Sequence, residues 1–147
     1  MKRVVTAILA LLMAGMVLVR CGQARSAPEP DRVVVQHVLV SFAGKLPGKM
    51  VKRTPVEAEE LAHQLLERAR KGEDFDALVR QFTDDQPPGR YTMVNRGGTT
   101  GAGEYGREQM VPGFGDASFH LQIGEIGLCD YDAVRSPFGY HIIKRIQ

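Results

Sequence analysis

Apolar and polar positions form two different patterns in the first half of the chain. Residues 32–42 (RVVVQHVLVSF) are rich in β-branched side chains and apolar on both faces, which is typical of a central strand. Residues 54–72 follow a helical period. Thr54 is placed to cap the first turn, Glu57 completes a capping box, and Gly72 fits the position after the last turn. This half therefore predicts a buried strand followed by a long helix.

The remaining elements are shorter. Helical spacing of apolar residues recurs at 74–82 and again near 112–121. Strand patterns occupy 91–95, and two final strands are predicted near 126–134 and 139–146. This order of elements predicts a small α+β domain with an antiparallel sheet.

The segment GAGEYG, at 101–106, matches the pattern GxGxxG of dinucleotide-binding loops. That pattern requires a preceding strand and a helix that opens on the glycines. The residues that follow, REQMVPGFG, do not open a helix. We therefore interpret this segment as a flexible loop.

The N-terminus resembles an export signal. Basic residues at 2 and 3 precede an apolar run over 4–19, so 1–20 is predicted to be a signal peptide or an N-terminal anchor. Residues 21–31 have linker composition, and 32–147 would form the domain. Cys21 stands where bacterial lipoprotein signals place their acceptor cysteine, and both lipidation of Cys21 and ordinary cleavage remain open.

Charge argues against a nucleic-acid partner. The whole chain carries 19 basic and 17 acidic residues, for a net charge of +2. Removing the signal takes away Lys2, Arg3 and Arg20, which leaves 16 basic and 17 acidic residues and a net charge of −1. The basicity of the chain thus belongs to its N-terminal signal.

Two of the four histidines lie within strand patterns. No pair has HxxxH or CxxC spacing, so we expect no metal site. A single buried histidine is most simply a core residue satisfied by one hydrogen bond. His37 and His141, however, lie in two strands that could be neighbours, where opposite tautomers would let them bond to each other.

Four motifs in order resemble the parvulin-type peptidyl-prolyl cis/trans isomerases over nearly all of 32–147. They are QHVLV (36–40), RTPVEAEELAHQLLERARKGEDFDALVRQFTDD (53–85), REQMVPGFGDASFHLQIGEIG (107–127) and SPFGYHII (136–143). The resemblance implies an α+β, FKBP-like superfold, with a four-stranded antiparallel sheet surrounded by about four short helices. It also implies an enzyme without a cofactor.

Site residues follow from the resemblance position by position. It implies a polar, catalytic group formed by His37, Asp85, His141 and Ser136. It implies a pocket for the proline ring formed by Tyr105, Met110, Phe114 and Phe138. The connection between Asp85 and Met110 is longer than in compact parvulins, so the placement of Asp85 depends on the path of residues 86–109.

The implied function is isomerisation of Xaa-Pro bonds during the folding of exported proteins. Partners would be proline-containing unfolded or exported polypeptides. The protein would be a monomer of the bacterial periplasm or cell envelope, and would touch the membrane only through its N-terminal segment or a lipid. The alternative is a non-catalytic chaperone or peptide-binding module that uses the same cleft.

Cations in the loop after the first strand bear on the choice of substrate. Lys45, Lys49, Lys52 and Arg53 lie where phosphate-directed relatives carry basic residues. A charged loop is usually no more than a solvated one. A preference for acidic residues before the target proline therefore remains the less favoured alternative.

Overall fold

The computed structural model of the protein describes residues 28–147. The predicted signal, Cys21 and most of the predicted linker lie outside this range. The elements in chain order are β1 (Arg32–Val40), α1 (Pro55–Arg70), α2 (Phe75–Phe82), β2 (Arg90–Val94), β3 (Glu104–Gly106), a 3₁₀ turn (Arg107–Gln109), α3 (Pro112–His120), β4 (Ile126–Cys129) and β5 (Tyr140–Arg145). The α+β class is confirmed.

The sheet has five strands in the order β3-β2-β1-β5-β4. All neighbouring pairs are antiparallel except β2 and β3, which are parallel. The prediction of four antiparallel strands was therefore wrong by one edge strand. That strand, β3, comes from residues 104–106, which were predicted to be part of a flexible loop. Three residues are too few to show a strand period in a sequence.

Helix α1 begins and ends where the sequence predicts. The Thr54 hydroxyl accepts a hydrogen bond from the Glu57 amide at 3.2 Å, and the Glu57 carboxylate accepts one from the Thr54 amide at 2.8 Å. This confirms the capping box. At the other end, Gly72 has a φ of 94°, the left-handed conformation that ends many helices.

Two hydrophobic clusters cover the two faces of the sheet. The first packs α1 and α2 against one face and includes Val38 and Val40 of β1. The second packs α3 against the other face and includes Val33 and Val35. Because successive side chains of a strand point to opposite faces, His37 lies on the face of α3.

The domain contacts the chain just before β1. The Glu29 carboxylate lies 2.5 Å from the buried Arg107 guanidinium, and the Asp31 carbonyl accepts a hydrogen bond from the Asn95 amide at 2.8 Å. Residues 29–31, predicted as the end of a linker, therefore pack on the domain. Within residues 28–147, no helix is long and apolar enough to cross a membrane.

Candidate active site

A cleft of about 320 Å³ lies on the α3 face of the sheet, and it brings together most of the predicted site residues. Its lining residues are His37, Leu39, Leu46, Asp85, Tyr91, Gln109, Met110, Val111, Phe114, Phe138 and His141. One part of this wall is polar and the rest is apolar. The cleft therefore presents both halves of the predicted site.

The two histidines form the floor of the cleft. Strands β1 and β5 are antiparallel, with His141 opposite Leu39 in the register. Both histidines therefore lie on one face, on neighbouring strands. Their Nδ1 atoms are 3.1 Å apart and their rings stack with centroids 5.3 Å apart. The predicted hydrogen bond between them is confirmed.

Asp85 extends this pair. Its Oδ2 lies 3.1 Å from His37 Nε2 and accepts a second hydrogen bond from the Tyr91 hydroxyl at 2.9 Å. The bond from His37 is the main reason that the pKa of Asp85 lies far below that of an ordinary aspartate. Bonds from the Gln86 amide and the Tyr91 hydroxyl lower this pKa further, whereas burial opposes them. Asp85 is thus an ionised acceptor at neutral pH.

The ionised carboxylate sets the direction of the hydrogen bonds. Asp85 can only accept, so His37 must carry a proton on Nε2. In a neutral His37, Nδ1 is then an acceptor, and His141 donates to it from its own Nδ1. His141 Nε2 is left with a lone pair. The pair therefore adopts the opposite tautomers that the sequence suggested.

His141 is held in its neutral form. Burial, with a smaller contribution from the neighbouring His37, lowers the pKa of His141 to about 3. Its Nε2 atom is buried and has no hydrogen-bond partner among residues 28–147. A neutral ring that is bonded at only one nitrogen therefore lies at the floor of the cleft.

The apolar half comes mainly from α3 and the turn before it. Met110, Phe114 and Phe138 line the cleft, as predicted for the ring pocket. The Phe114 ring packs against both histidines, with centroid distances of 5.0 Å to His37 and 5.2 Å to His141. Phe138 is 39% exposed and lies nearer the surface. The apolar and polar halves are therefore in direct contact.

Two predicted residues lie outside the lining. Tyr105 is 45% exposed and packs against Tyr91, with ring centroids 5.7 Å apart, so it flanks the cleft. Ser136 is buried, and its hydroxyl donates to the Gly139 carbonyl at 2.9 Å. That bond spans the turn that enters β5. In this structure Ser136 fixes the turn and does not line the cleft.

Five lining residues were not predicted. Leu39 follows His37 by the strand period of two, and Gln109 and Val111 flank Met110, so the sequence did carry a signal for these three. Tyr91 and Leu46 are different, because they arrive from a short strand and a loop whose paths are set by tertiary contacts. No local pattern identifies them.

The basic loop is tied to the domain. The Arg53 guanidinium donates to the Asp84 carboxylate at 2.6 Å, and Lys49 bonds to the Asp84 carbonyl. Lys45 donates to the Tyr131 hydroxyl at 2.8 Å. These contacts give three of the four cations a structural role. They therefore favour a loop without a role in substrate choice over one that selects acidic residues before the proline.

Metal ligands are not assembled in the described range. Among residues 28–147, no group of three or more His, Cys, Asp or Glu side chains could hold a metal ion. Cys129 is buried in the α3 cluster, where burial raises the pKa of its thiol. The polar side chains that line the cleft are those of His37, Asp85, Tyr91, Gln109 and His141.

Comparisons with known proteins identify the family to which the domain belongs. The family model of the PPIC-type PPIase domain matches residues 16–147. Foldase protein PrsA 4 of Bacillus cereus is 37% identical over 98 residues, which are 67% of this chain and 31% of that protein. Foldase protein PrsA of a Geobacillus species is 36% identical over 120 residues, 82% of this chain and 40% of its own length.

A third relative and a solved structure extend the comparison. Chaperone SurA of Chromohalobacter salexigens is 35% identical over 123 residues, 79% of this chain and 23% of that protein. The solution structure of TbPIN1 is similar with a TM-score of 0.58 at 22% identity, over 80% of this chain and 98% of that one. At this identity the likeness concerns the fold. The chain spans well under half the length of these foldases and chaperones.

Proposed function

This chain belongs to the family of PPIC-type peptidyl-prolyl isomerase (PPIase) domains, and we propose that its cleft catalyses cis/trans isomerisation of Xaa-Pro bonds. The observation that carries the proposal is that an apolar pocket and the Asp85–His37–His141 chain of hydrogen bonds share one cleft. A surface that only binds apolar segments has no need of the buried polar half.

The barrier to this reaction lies in the amide bond itself. Twisting the bond removes amide resonance and costs about 18–20 kcal/mol, which makes the uncatalysed reaction take tens to hundreds of seconds. No covalent bond is made or broken. A catalyst therefore has to bind the twisted amide better than either planar isomer.

The apolar half would hold the proline ring. Met110 and Phe114 form one wall and Phe138 lies nearer the surface, so the ring is held while the chain before it rotates. A ring that is removed from water and fixed in place restricts motion to the bond that must turn. This assigns to Met110, Phe114 and Phe138 the role that the sequence implied.

The polar half would face the rotating carbonyl. As the amide twists, its carbonyl oxygen loses the negative charge that resonance supplies, and its nitrogen becomes more basic. The ionised Asp85 and the two hydrogen-bonded histidines are fixed dipoles and charges next to the reacting bond. They favour the twisted state over the planar one by electrostatic preorganisation. Asp85 acts through its charge, since the reaction needs no nucleophile.

The substrates would be proline-containing segments of unfolded, exported polypeptides. The relatives named foldase and chaperone support this, as does the predicted export signal at 1–20. The protein would act in the cell envelope, with Cys21 as a site of lipidation if the signal is of the lipoprotein type. The signal and the lipid anchor stay predictions, since their residues lie outside the described range.

An isomerase assay on a series of Xaa-Pro peptides tests the activity. Met110→Ala should lower kcat/KM about tenfold, because burying a methionine side chain is worth about 1.5–3 kcal/mol and each 1.4 kcal/mol is a factor of ten. Met50→Ala is the matched control, since Met50 is 91% exposed. It should leave kcat/KM unchanged.

Two results would contradict the proposal. Equal activity of both methionine variants and the wild type would remove the assignment of the pocket. A wild-type protein that binds unfolded chains but does not accelerate isomerisation would instead support the non-catalytic chaperone.

A further inference from the structure

Tyr91 connects the two halves of the cleft, and no motif in the sequence assigns it a role. It lies on β2, within the long connection between Asp85 and Met110. Its hydroxyl donates to Asp85 Oδ2 at 2.9 Å. Its ring packs edge-on against three other rings, with centroids 5.4 Å from His37, 5.8 Å from Phe114 and 5.7 Å from Tyr105.

The Asp85 carboxylate requires a hydrogen-bond donor besides His37 to hold its orientation. It follows α2 in a connecting segment, and its side chain is 31% exposed, so the sheet does not fix its carboxylate as it fixes the histidines. His37 Nε2 and the Tyr91 hydroxyl both meet the same oxygen, Oδ2. Together with the bond from the Gln86 amide, these two donors on one oxygen leave the carboxylate a single orientation in which all the bonds are made.

The Tyr91 hydroxyl is a permanent donor in this arrangement. Burial, together with the negative charge of Asp85, raises the pKa of Tyr91 to about 12. The hydroxyl is therefore protonated throughout the neutral range. Because the ring is held between Phe114 and Tyr105, the position of the hydroxyl is determined by the apolar half of the site.

We propose that Tyr91 is a positioning residue that orients the Asp85 carboxylate toward His37 and thereby fixes the tautomers of the histidine pair. This inference rests on the proposed isomerase function. Three hydrogen bonds in series carry this effect. The Tyr91 hydroxyl orients Asp85, and Asp85 accepts from His37 Nε2. His37 Nδ1 is then left to accept from His141 Nδ1. Substrate binding by the apolar wall is not part of this role.

The test compares Tyr91→Phe with Tyr140→Phe in the full chain. Tyr91→Phe removes only the hydroxyl and keeps the packed ring. Tyr140 belongs to the hydrophobic cluster on the opposite face of the sheet, so Tyr140→Phe is the same chemical change away from the cleft. Each variant is measured for kcat and KM at pH 7 on an Xaa-Pro peptide, and the carboxyl carbon of Asp85 is followed by ¹³C NMR as the pH is lowered. The ring nitrogens of the histidines are followed by ¹⁵N NMR.

Tyr91→Phe should lower kcat about tenfold with little change in KM, which is the effect of losing one hydrogen bond to a charged group. The pKa of Asp85 should rise, because its ionised form loses a donor, and the side-chain ¹³C NMR signal of Asp85 should titrate at higher pH than in the wild type. The NMR spectrum should change from one tautomer of each histidine to a mixture. Tyr140→Phe should match the wild type in all three measurements.

Failure of this inference and failure of the proposed function give different results. An active wild type, with an unchanged kcat and unchanged histidine tautomers in Tyr91→Phe, would overturn the role of Tyr91 alone. An inactive wild type would overturn the isomerase function. The NMR comparison would still decide whether Tyr91 fixes the histidine tautomers, since it requires no turnover.

Discussion

At the scale of single residues, the most unusual group is His141. It is 4% exposed, yet one of its ring nitrogens has no hydrogen-bond partner among residues 28–147. Leaving a buried polar atom unpaired costs about 1–3 kcal/mol. Such a cost is typical of a site where function takes precedence over stability.

The ionisation of His141 should make stability depend on pH. Its pKa is about 3 in the folded protein, against the ordinary value of 6.5 expected on unfolding. Between these values the unfolded state binds one more proton than the folded state. Stability is therefore complete above about pH 6.5 and falls as the pH decreases, by up to about 1.4 kcal/mol per pH unit.

Urea unfolding at pH 7, 6 and 5 measures this slope, in a range where carboxylates contribute little. His141→Gln should lose most of the slope, even if it is less stable at pH 7. His63→Gln changes an exposed histidine and should keep the slope of the wild type. Equal slopes in the wild type and His141→Gln would contradict the depressed pKa of His141.

Two consecutive carboxylates show how environment assigns roles. Asp84 accepts from the Ser41 amide at 2.8 Å and from the Arg53 guanidinium, so it fastens the basic loop to β1. Asp85 instead faces the cleft and accepts from His37 and Tyr91. Both residues are aspartates. Their side chains point to different surroundings, so Asp84 stabilises the fold and Asp85 lies in the cleft.

At the scale of elements, the bend between α2 and β2 determines how closely the site is packed. Gly89 has a φ of 62°, and its carbonyl accepts a hydrogen bond from the His37 amide at 2.9 Å. A Cβ atom at this position would lie 2.6 Å from the His37 carbonyl and 3.3 Å from the His37 ring. The bend can therefore approach β1 only because it carries glycine.

Gly89→Ala should reduce both stability and isomerase activity. A left-handed alanine costs about 1–2 kcal/mol, and the clash with His37 adds about 1–3 kcal/mol of overpacking. Gly97→Ala is the matched control, because Gly97 has a φ of 81° but open space around it. It should cost only the backbone term and keep its activity.

Denaturant unfolding and the peptide assay measure both effects. If the two alanine variants were equally stable and equally active, the close approach of the bend to His37 would have no energetic role.

At the scale of the whole molecule, the buried Arg107 joins the segment before β1 to the apolar half of the cleft. Arg107 lies in the 3₁₀ turn before Met110 and contacts Glu29 at 2.5 Å and Asp116 of α3 at 2.7 Å. Its guanidinium also lies over the Phe119 ring, 4.7 Å from the centroid. The segment before β1 thus supports the same elements that carry the apolar half of the cleft.

Glu29→Gln should therefore lower the free energy of unfolding by about 1 kcal/mol, because it removes the charge of one partner of a buried guanidinium. Glu67→Gln is the control, since its pair with Lys71 is exposed and lies 3.5 Å apart. That change should stay within about 0.5 kcal/mol of the wild type. Chemical denaturation gives both values, and equal values would mean that residue 29 adds nothing to the domain.

Local periods and ordered motifs were enough to predict several parts of this protein from its sequence. The helices α1, α2 and α3 begin and end near their predicted bounds because caps and apolar stripes are local signals. The pairing of His37 with His141 also followed from the sequence, since both interrupt strands that could be neighbours. Four ordered motifs implied the family.

The other residues of the cleft could be identified only from the folded chain. Strand β3 was missed because it exists only through pairing with β2, and Tyr91 was missed because its partners lie elsewhere in the chain or across a bend. Ser136 carried a predicted catalytic role, yet its hydroxyl bonds to the turn before β5. The positions of β3, Tyr91 and Ser136 all depend on the path of a connecting segment. That path is set by packing and hydrogen bonds between distant residues rather than by local propensity.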